Sequence, residues 1–299
     1  MVRGRCPICG SPPLETISLA GPDRFQGTPG TFSVAVCSDC GTGWTLPEVP
    51  AEELDAYYPA SYGFLQPTPF QRRIQRILVD RALEHRPLAA LAQAPPGELL
   101  DVGCGRGDLG AAFSRRGWRV SGVEPSPEAC AVARAQGVDA RTGTLDTVSF
   151  DDGRFDAVVM RHSLEHVPHP LADLERVSRL LRTGGLLAVS TPNFDSWERR
   201  RFGSSWFHLD LPRHRTHFTP SSLRLALTKT GLEPVSVETA GDAASLLATL
   251  QYRVAGRLLS RSAPALYAQY GLGFALTPAR ALLDRQPGGG PFLHAVARA

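Results

Sequence analysis

Long apolar runs are missing from this sequence of 299 residues. A helix needs about 20 consecutive apolar residues to span a bilayer, and no such run occurs. The N-terminus also lacks the basic segment followed by an apolar segment that marks a secretory leader. We therefore expect a cytoplasmic protein without a transmembrane segment.

Lysine is almost absent, and the excess of positive charge is small. Lys229 is the only lysine among 32 basic residues, and the formal net charge is +3. Proteins that bind nucleic acid usually carry a strongly basic surface, so we expect no nucleic-acid partner. The preference for arginine fits the codon usage of a GC-rich genome better than a phosphate-binding surface. The hydrophobic fraction of 42% is typical of a globular protein, and the length suits one core domain with appended segments.

The cysteines are few but regularly spaced. Four of the six form two C-x-x-C pairs, each followed by glycine, at Cys6 and Cys9 and at Cys37 and Cys40. The glycine lets each turn close so that backbone amides face the sulfurs. Two such pairs supply the four thiolates of a closed tetrahedral zinc site, which fits better than disulfides or a redox role. We predict a zinc ribbon that folds on the metal.

A glycine-rich turn follows a short apolar strand. The stretch E-L-L-D-V-G-C-G-R-G-D-L-G over residues 98–110 predicts a buried strand, a turn with Gly103, Gly105 and Gly107, and then a helix. A nucleotide-like cofactor is expected at this end of the strand. The spacing G-x-G-x-x-G fits NAD, but Asp101 beside the turn would repel a pyrophosphate. A carboxylate there suits the cationic end of S-adenosylmethionine (SAM), which we favour.

A second acidic residue ends the next predicted strand, residues 118–124. A carboxylate at Glu124 suits the two ribose hydroxyls of SAM and would fit NAD equally well. Strands and helices then alternate, which predicts a parallel sheet. The further predicted strands lie near residues 138–141, 155–160, 186–191, 234–239 and 292–297.

Two motifs resemble the class I SAM-dependent methyltransferases. L-D-V-G-C-G-R-G is similar to their first motif, and F-D-A-V-V-M-R-H-S-L-E-H-V-P-H-P is similar to the segment at their fourth strand. The resemblance implies a doubly wound α/β fold with a seven-stranded Rossmann-like sheet, to which this chain adds a zinc ribbon and helical insertions. It implies SAM contacts at Asp101, Gly103, Cys104, Gly105, Gly107, Glu124, Pro125, Thr144, Leu145 and Arg161. The family often has an acid near position 144, so here adenine recognition would fall to the backbone and the neighbouring leucine.

Four parts of the chain are predicted. They are a zinc ribbon at 1–47, a helical linker or lid at 48–96, the SAM-binding core at 97–240, and a helical insertion with the last core strand at 241–299. Helical spacing of apolar residues from Phe70 to Leu91 predicts an amphipathic helix. Tyr58 and Tyr62 either bind substrate as part of a lid or pack between domains. The helices of the last part form a substrate lid, a homodimer face or a membrane-contact patch, with the first two favoured.

Histidines and arginines cluster after the fifth strand. The run P-R-H-R-T-H-F-T resembles a signature of methyltransferases in bacterial glycan and secondary-metabolite pathways. A histidine titrates near pH 6.5 (about its ordinary pKa) and can take a proton from an acceptor. His214 and His217 are the first candidates for this base and His162 is a third, with core or capping roles as the alternative. Arg213 and Arg215 are candidate partners of an anionic acceptor.

We therefore expect a methyltransferase for a small-molecule or glycan-related acceptor, with O- and C-methylation both open. Residues 1–240 resemble the sugar C-methyltransferases, which act on nucleotide-linked deoxysugars, and the UbiG-like small-molecule methyltransferases. The former carry a further C-terminal domain for which this sequence is too short, so the acceptor stays open. One alternative is a zinc-ribbon RNA methyltransferase, although the ribbon has few basic residues. The other is a SAM-binding module without activity, although Asp101 and Glu124 are intact.

Overall fold

The computed structural model describes residues 4–13, 19–50, 53, 55–58, 69–241, 243–258 and 282–299. The strands in these ranges are β1 Leu19–Gly21, β2 Phe32–Val36, β3 Gly43–Leu46, β4 Glu98–Val102, β5 Arg119–Glu124, β6 Asp139–Thr142, β7 Phe155–Arg161, β8 Leu181–Pro192, β9 Thr216–His217, β10 Glu233–Ala240 and β11 Phe292–Arg298. The α-helices are α1 Pro69–Ala82, α2 Leu88–Ala92, α3 Asp108–Ser114, α4 Pro127–Ala135, α5 Pro170–Leu180, α6 Trp197–Phe202, α7 Pro220–Lys229 and α8 Ala243–Ala255. Short 3-10 helices lie at Asp55–Tyr57, Gly203–Ser205 and Phe207–Leu209.

Seven strands form the central sheet, in the order β10-β11-β8-β7-β4-β5-β6. The strands are parallel except β11, which is antiparallel to both β8 and β10. The chain leaves β4 towards β5 on one side and returns to β7 on the other. This reversal opens a crevice beyond the carboxyl end of β4, where open α/β sheets bind their ligands. The predicted doubly wound, seven-stranded α/β fold is confirmed.

Both faces of the sheet are covered by apolar side chains. Consecutive residues of a strand point to opposite faces. Leu99 therefore packs in one cluster with Phe113 of α3, while Leu100 packs in another with Leu174 of α5. All four side chains are buried, as expected of a parallel sheet that has helices on both sides.

The helices that flank the sheet begin at residues suited to capping. Ser126 caps α4 by accepting a hydrogen bond from the Ala129 amide, and Thr219 caps α7 in a capping box with Ser222. The predicted helix from 70 to 91 is wrong in extent, because α1 ends at Ala82 and the short α2 begins after Pro87. Proline lacks an amide hydrogen and its ring clashes with the preceding turn, so it interrupts the helix.

The ribbon shares a sheet with the core. Its strands β1, β2 and β3 pair in order, and β9 from the run after β8 adds to the far edge of β3. Trp44 of β3 lies opposite Thr216 of β9. Lys229, at the end of α7, donates a hydrogen bond of 3.0 Å to the Ile8 carbonyl oxygen. The sequence predicts that the ribbon ends at residue 47. In the structure the ribbon packs directly against β9 and α7, which follow much later in the chain.

A buried ion pair joins the ribbon to the core. The Arg213 side chain is fully buried, and its Nη2 lies 2.8 Å from Asp23 Oδ1 and 2.6 Å from Asp210 Oδ1. Its Nη1 donates to the Tyr57 carbonyl oxygen at 3.0 Å. A guanidinium enclosed by these partners has no surface left for an anionic acceptor. The expectation that Arg213 binds substrate is therefore wrong, and its role is structural.

The insertion between β10 and β11 begins with α8, as predicted. This helix contributes Ala248 and Tyr252 to a small buried cluster and exposes 86% of Val254. Residues 259–281 lie outside the described residues, as does Tyr62, so their predicted roles in a lid or a dimer stay predictions. Among the described helices, none has the length and apolar character needed to cross a membrane.

The buried ion pair gives a testable expectation for stability. Replacing Asp23 by alanine should lower the free energy of unfolding by about 3 kcal/mol, because the Arg213 charge loses a buried partner. Urea denaturation measures the change. Glu238→Ala is the control, since its pair with Arg86 is exposed and should be worth about 0–1 kcal/mol. A loss in the Asp23 variant no larger than in this control would contradict the structural role of the pair.

Candidate functional site

The four predicted zinc ligands come together at the end of the ribbon. One sulfur from each of Cys6, Cys9, Cys37 and Cys40 lies within 4.8 Å of the others. The amides of Ile8 and Cys9 point at Cys6 Sγ, and the amides of Asp39 and Cys40 point at Cys37 Sγ. Four convergent thiols with amide donors suit a tetrahedral structural zinc ion. The residues present therefore fit zinc.

The glycine turn forms one wall of the crevice beyond β4. Gly103 has φ +75°, and a Cβ atom there would lie 2.8 Å from Ser163 Cβ. Gly105 has φ +53° and nothing within 4 Å of its Cβ position, so its bare peptide faces open space. Only glycine adopts this backbone without strain and lets a ligand approach so closely. The turn fits a nucleoside cofactor laid against the backbone.

Glu124 holds the turn and the start of the next helix together. Its Oε2 accepts a hydrogen bond from the Gly105 amide and its Oε1 accepts one from the Ser126 amide, both at 3.0 Å. Each carboxylate oxygen has a second lone pair. The half-buried carboxylate can therefore accept the two ribose hydroxyls while it keeps the turn in place. Pro125 beside it is exposed at the edge of the crevice.

Asp101 lies beneath the turn at 3% exposure. Burial raises the pKa of its carboxyl to about 7, with Arg161 acting to lower it and Glu124 to raise it. A buried carboxylate without a full countercharge favours a cationic ligand, which is the chemistry of the SAM amino-acid end. The residues present therefore fit SAM. Its sulfonium would supply a methyl group to a nucleophile in the crevice.

The remaining predicted SAM contacts differ in what their side chains do. Cys104 packs towards β5, because a Cβ on Gly122 would lie 2.6 Å from its sulfur, so only its backbone faces the turn. Thr144 is exposed and bonds to Thr147, whereas Leu145 is buried in the core. These contacts with the adenine ring stay predictions.

Histidines gather on the other side of the crevice, beyond β7 and β9. The His166 and His214 ring centroids are 4.7 Å apart, and those of His214 and His217 are 6.4 Å apart. His162 follows directly after β7, with 39% of its side chain exposed, and its ring lies 5.4 Å from that of Phe292. Of the three predicted base candidates, His162 alone has substantial solvent access.

His217 is held inside the protein by the ribbon. It is 3% exposed, and its Nε2 lies 3.0 Å from Thr45 Oγ1 of β3. The Thr45 hydroxyl donates to the His214 carbonyl oxygen at 2.6 Å, so its oxygen accepts from His217. Burial lowers the pKa of His217 to about 3. This environment contradicts a role as the general base and supports a structural one.

Two residues predicted to bind substrate, Tyr58 and Arg215, make hydrogen bonds around the histidine cluster. The Tyr58 hydroxyl lies 3.0 Å from His166 Nδ1, which fixes that ring. Arg215 donates to Glu48 at 2.6 Å and to the Val49 carbonyl oxygen at 3.1 Å, so it ties the linker to the core. Neither is aimed at the crevice by these bonds, and their contact with substrate stays a prediction.

Sequence reasoning missed residues that only the fold brings here. His294 of β11 lies 3.0 Å from Ser190 of β8, and His208 lies 2.8 Å from Ser245 of α8. His294 is isolated in sequence from the motifs, whereas His208 lies just before the P-R-H-R-T-H-F-T run. Only the fold shows the partners of both. Glu165 in the turn after β7 is 1% exposed, and its Oε1 lies 3.5 Å from His162 Nδ1.

The raised pKa of Asp101 sets a testable pH dependence for SAM binding. Below the pKa the carboxyl is neutral, and above it the carboxylate attracts the cation. SAM affinity should therefore rise roughly eightfold from about pH 6 to about pH 7.5 if only the ionised form binds. Isothermal titration calorimetry measures the change. Asp101→Asn should remove the slope, whereas exposed Asp151→Asn should keep it. A flat profile in the unaltered protein would contradict this role.

Comparisons with known proteins agree with this site. The ubiquinone biosynthesis O-methyltransferase of Xanthomonas campestris pv. campestris is 39% identical over 113 residues, which cover 36% of this chain and 47% of that protein. The protein of the same name from Cereibacter sphaeroides is 35% identical over 150 residues, which cover 46% and 60%. The chain thus spans about half the length of the curated relatives that it matches.

Solved structures share the fold at low identity. A SAM-dependent methyltransferase from Archaeoglobus fulgidus has a TM-score of 0.52 and 17% identity over 77% of this chain and 98% of that one. An S-adenosylmethionine-dependent methyltransferase from Mesorhizobium loti has a TM-score of 0.50 and 21% identity over 74% and 100%. A family described as "Methyltransferase domain" matches residues 70–237, more than half of the chain. The chain therefore belongs to this methyltransferase family and has the fold of the SAM-dependent enzymes.

Proposed function

We propose that this chain is a SAM-dependent O-methyltransferase for a small-molecule acceptor. The observation that carries the proposal is the position of His162, an accessible imidazole at the carboxyl end of β7. The next residue, Ser163, meets the cofactor turn, since a Cβ on Gly103 would lie 2.8 Å from Ser163 Cβ. This closeness supports a base at His162 beside the cofactor turn.

The backbone at His162 supports a functional role for its side chain. Its φ is +53°, in the left-handed region that residues other than glycine seldom adopt. A strained backbone conformation persists only where the surrounding structure enforces it, and such residues cluster at active sites and ligand-binding sites. Here the conformation turns the chain out of β7 and sets the imidazole against the Phe292 ring.

The proposed reaction is an in-line displacement. The acceptor oxygen attacks the methyl carbon, the C–O bond forms as the C–S bond breaks, and the sulfur keeps the electron pair. His162 takes the proton of the hydroxyl. Most of the acceleration comes from holding the oxygen close to the methyl group and in line with it.

The walls on this side of the crevice favour a planar acceptor. The Phe292 ring lies 5.4 Å from His162 and 4.7 Å from His208, so aromatic faces and edges surround the opening. Aromatic rings pack against one another in such offset or edge-on arrangements. The names of the Xanthomonas and Cereibacter relatives support O-methylation, and we extend that chemistry to a phenolic or enolic hydroxyl here.

A product assay with variants tests the proposal. The protein is incubated with methyl-labelled SAM and separate panels of phenols, nucleotide sugars and RNA, and labelled products are identified by mass spectrometry. We expect a methyl ether from the phenol panel. His162→Ala should lower kcat about 100-fold or more through loss of the base, with SAM affinity unchanged.

Exposed His169→Ala is the matched control and should turn over at the normal rate. Normal turnover in His162→Ala would show that His162 is not the base. Methylated RNA or a C-methylated sugar as the product would contradict the proposed acceptor class. SAM binding without product from any panel would favour a module that lacks activity.

A further inference from the structure

A further histidine, His208, lies on the aromatic wall of the crevice. It belongs to the short 3-10 helix Phe207–Leu209, and its ring centroid is 4.7 Å from that of Phe292. The same Phe292 ring packs against His162, the proposed base. We infer that His208 binds the acceptor through a hydrogen bond at Nδ1, an inference that rests on the proposed function.

The Nε2 side of the His208 ring and its main chain are fixed. Nε2 lies 2.8 Å from Ser245 Oγ of α8. Thr249 follows one turn later on the same face of α8, and its hydroxyl oxygen accepts the Phe207 amide at 3.1 Å. The His208 carbonyl oxygen accepts a hydrogen bond from His214 Nδ1 at 2.8 Å. Held from two sides, the ring has a defined orientation.

The other ring nitrogen of His208, Nδ1, has no hydrogen bond among the described residues. The residue is half-buried, and Nδ1 keeps access to solvent, whereas the indole nitrogen of neighbouring Trp206 is buried without a partner. The Trp206 and Phe207 rings lie 5.6 and 5.1 Å from the His208 ring, so much of its surroundings is aromatic. A polar atom that loses water on ligand binding needs a partner on the ligand.

The His208 imidazole is uncharged at neutral pH. Burial lowers its pKa to about 3, and the charges of protonated His162 and His214 act in the same direction. A neutral imidazole offers one N–H and one lone pair. His208 is therefore poorly suited to hold the proton released by the acceptor, which is left to His162. It is well suited to a hydrogen bond with an uncharged group.

This arrangement narrows the class of acceptor. A planar ring against Phe292 would place its reacting hydroxyl at His162 and a second polar substituent at His208. The tautomer of His208 decides whether Nδ1 donates or accepts, and a hydroxyl group does both. The fitting acceptor is therefore a ring that carries a second hydroxyl besides the one that is methylated.

Equilibrium binding tests this role without methyl transfer. The protein is saturated with S-adenosylhomocysteine, which lacks the methyl group, and is titrated by calorimetry with dihydroxybenzenes and with methylphenols paired by ring position. We expect one dihydroxybenzene to bind about three- to tenfold more tightly than its methylphenol, the effect of one hydrogen bond. His208→Phe keeps an aromatic ring and should remove this preference, with methylphenol affinity changed less than about twofold.

Further variants separate the hydrogen bond from a structural role. His208→Gln keeps a polar group and should retain part of the preference, whereas Ser245→Ala should reduce it by releasing the ring. Exposed His169→Phe and Ser149→Ala are matched controls and should bind as the unaltered protein does. Zinc content and S-adenosylhomocysteine affinity verify that each variant is folded.

The outcomes distinguish this inference from the proposed function. An unchanged preference in folded His208→Phe would overturn the inference and leave the proposed function standing. Equal binding within every pair by the unaltered protein would do the same, and so would an equal loss of both pair members in His208→Phe. Binding of no phenol at all would contradict the proposed acceptor class, and the role of His208 would fall with it.

Discussion

The short pairing of β3 with β9 is the contact on which the acceptor side depends. Gly43 lies opposite His217 in that pairing, and a Cβ on Gly43 would lie 3.1 Å from His217 Cβ and 2.8 Å from Val34 Cγ1. The missing side chain lets the two strands meet. Thr45, two residues further along β3, then bonds to the His214 carbonyl oxygen and to the His217 ring. The ribbon therefore forms part of the framework that orients the histidines.

The two sides of the crevice differ in the charged side chains that they hold and in how those charges are balanced. On the cofactor side, Asp101 and Glu124 supply negative charge close to bare backbone, which suits a ligand with a sulfonium and an ammonium. On the histidine side, the Arg213 charge is enclosed by Asp23 and Asp210, while the buried Glu165 carboxylate has His162 Nδ1 as its nearest basic group, at 3.5 Å from Oε1. One buried charge is thus enclosed by two carboxylates, and the other faces a single imidazole.

The sequence predicted those features that local patterns encode. Matched C-x-x-C spacing indicated the cysteine cluster, and a strand followed by glycines indicated the turn and its acidic partners. The roles of Arg213 and His217 were not accessible in this way, because their partners lie 190 and 172 residues away in the chain. A histidine beside arginines has the same local appearance whether it faces solvent or the core. Burial, which decides between these roles, follows only from the tertiary contacts.

The single lysine gives the molecule a built-in chemical reporter. Lys229 Nζ is bonded to the Ile8 carbonyl oxygen inside the first cysteine pair, so its amine is engaged only while the ribbon is docked on α7. An acylating reagent therefore meets one side-chain amine, whose reactivity depends on that docking. Because all other members of the 32 lysines and arginines are arginines, labelling that is mapped to Lys229, and kept apart from that of the α-amino group, would follow the docking of the ribbon.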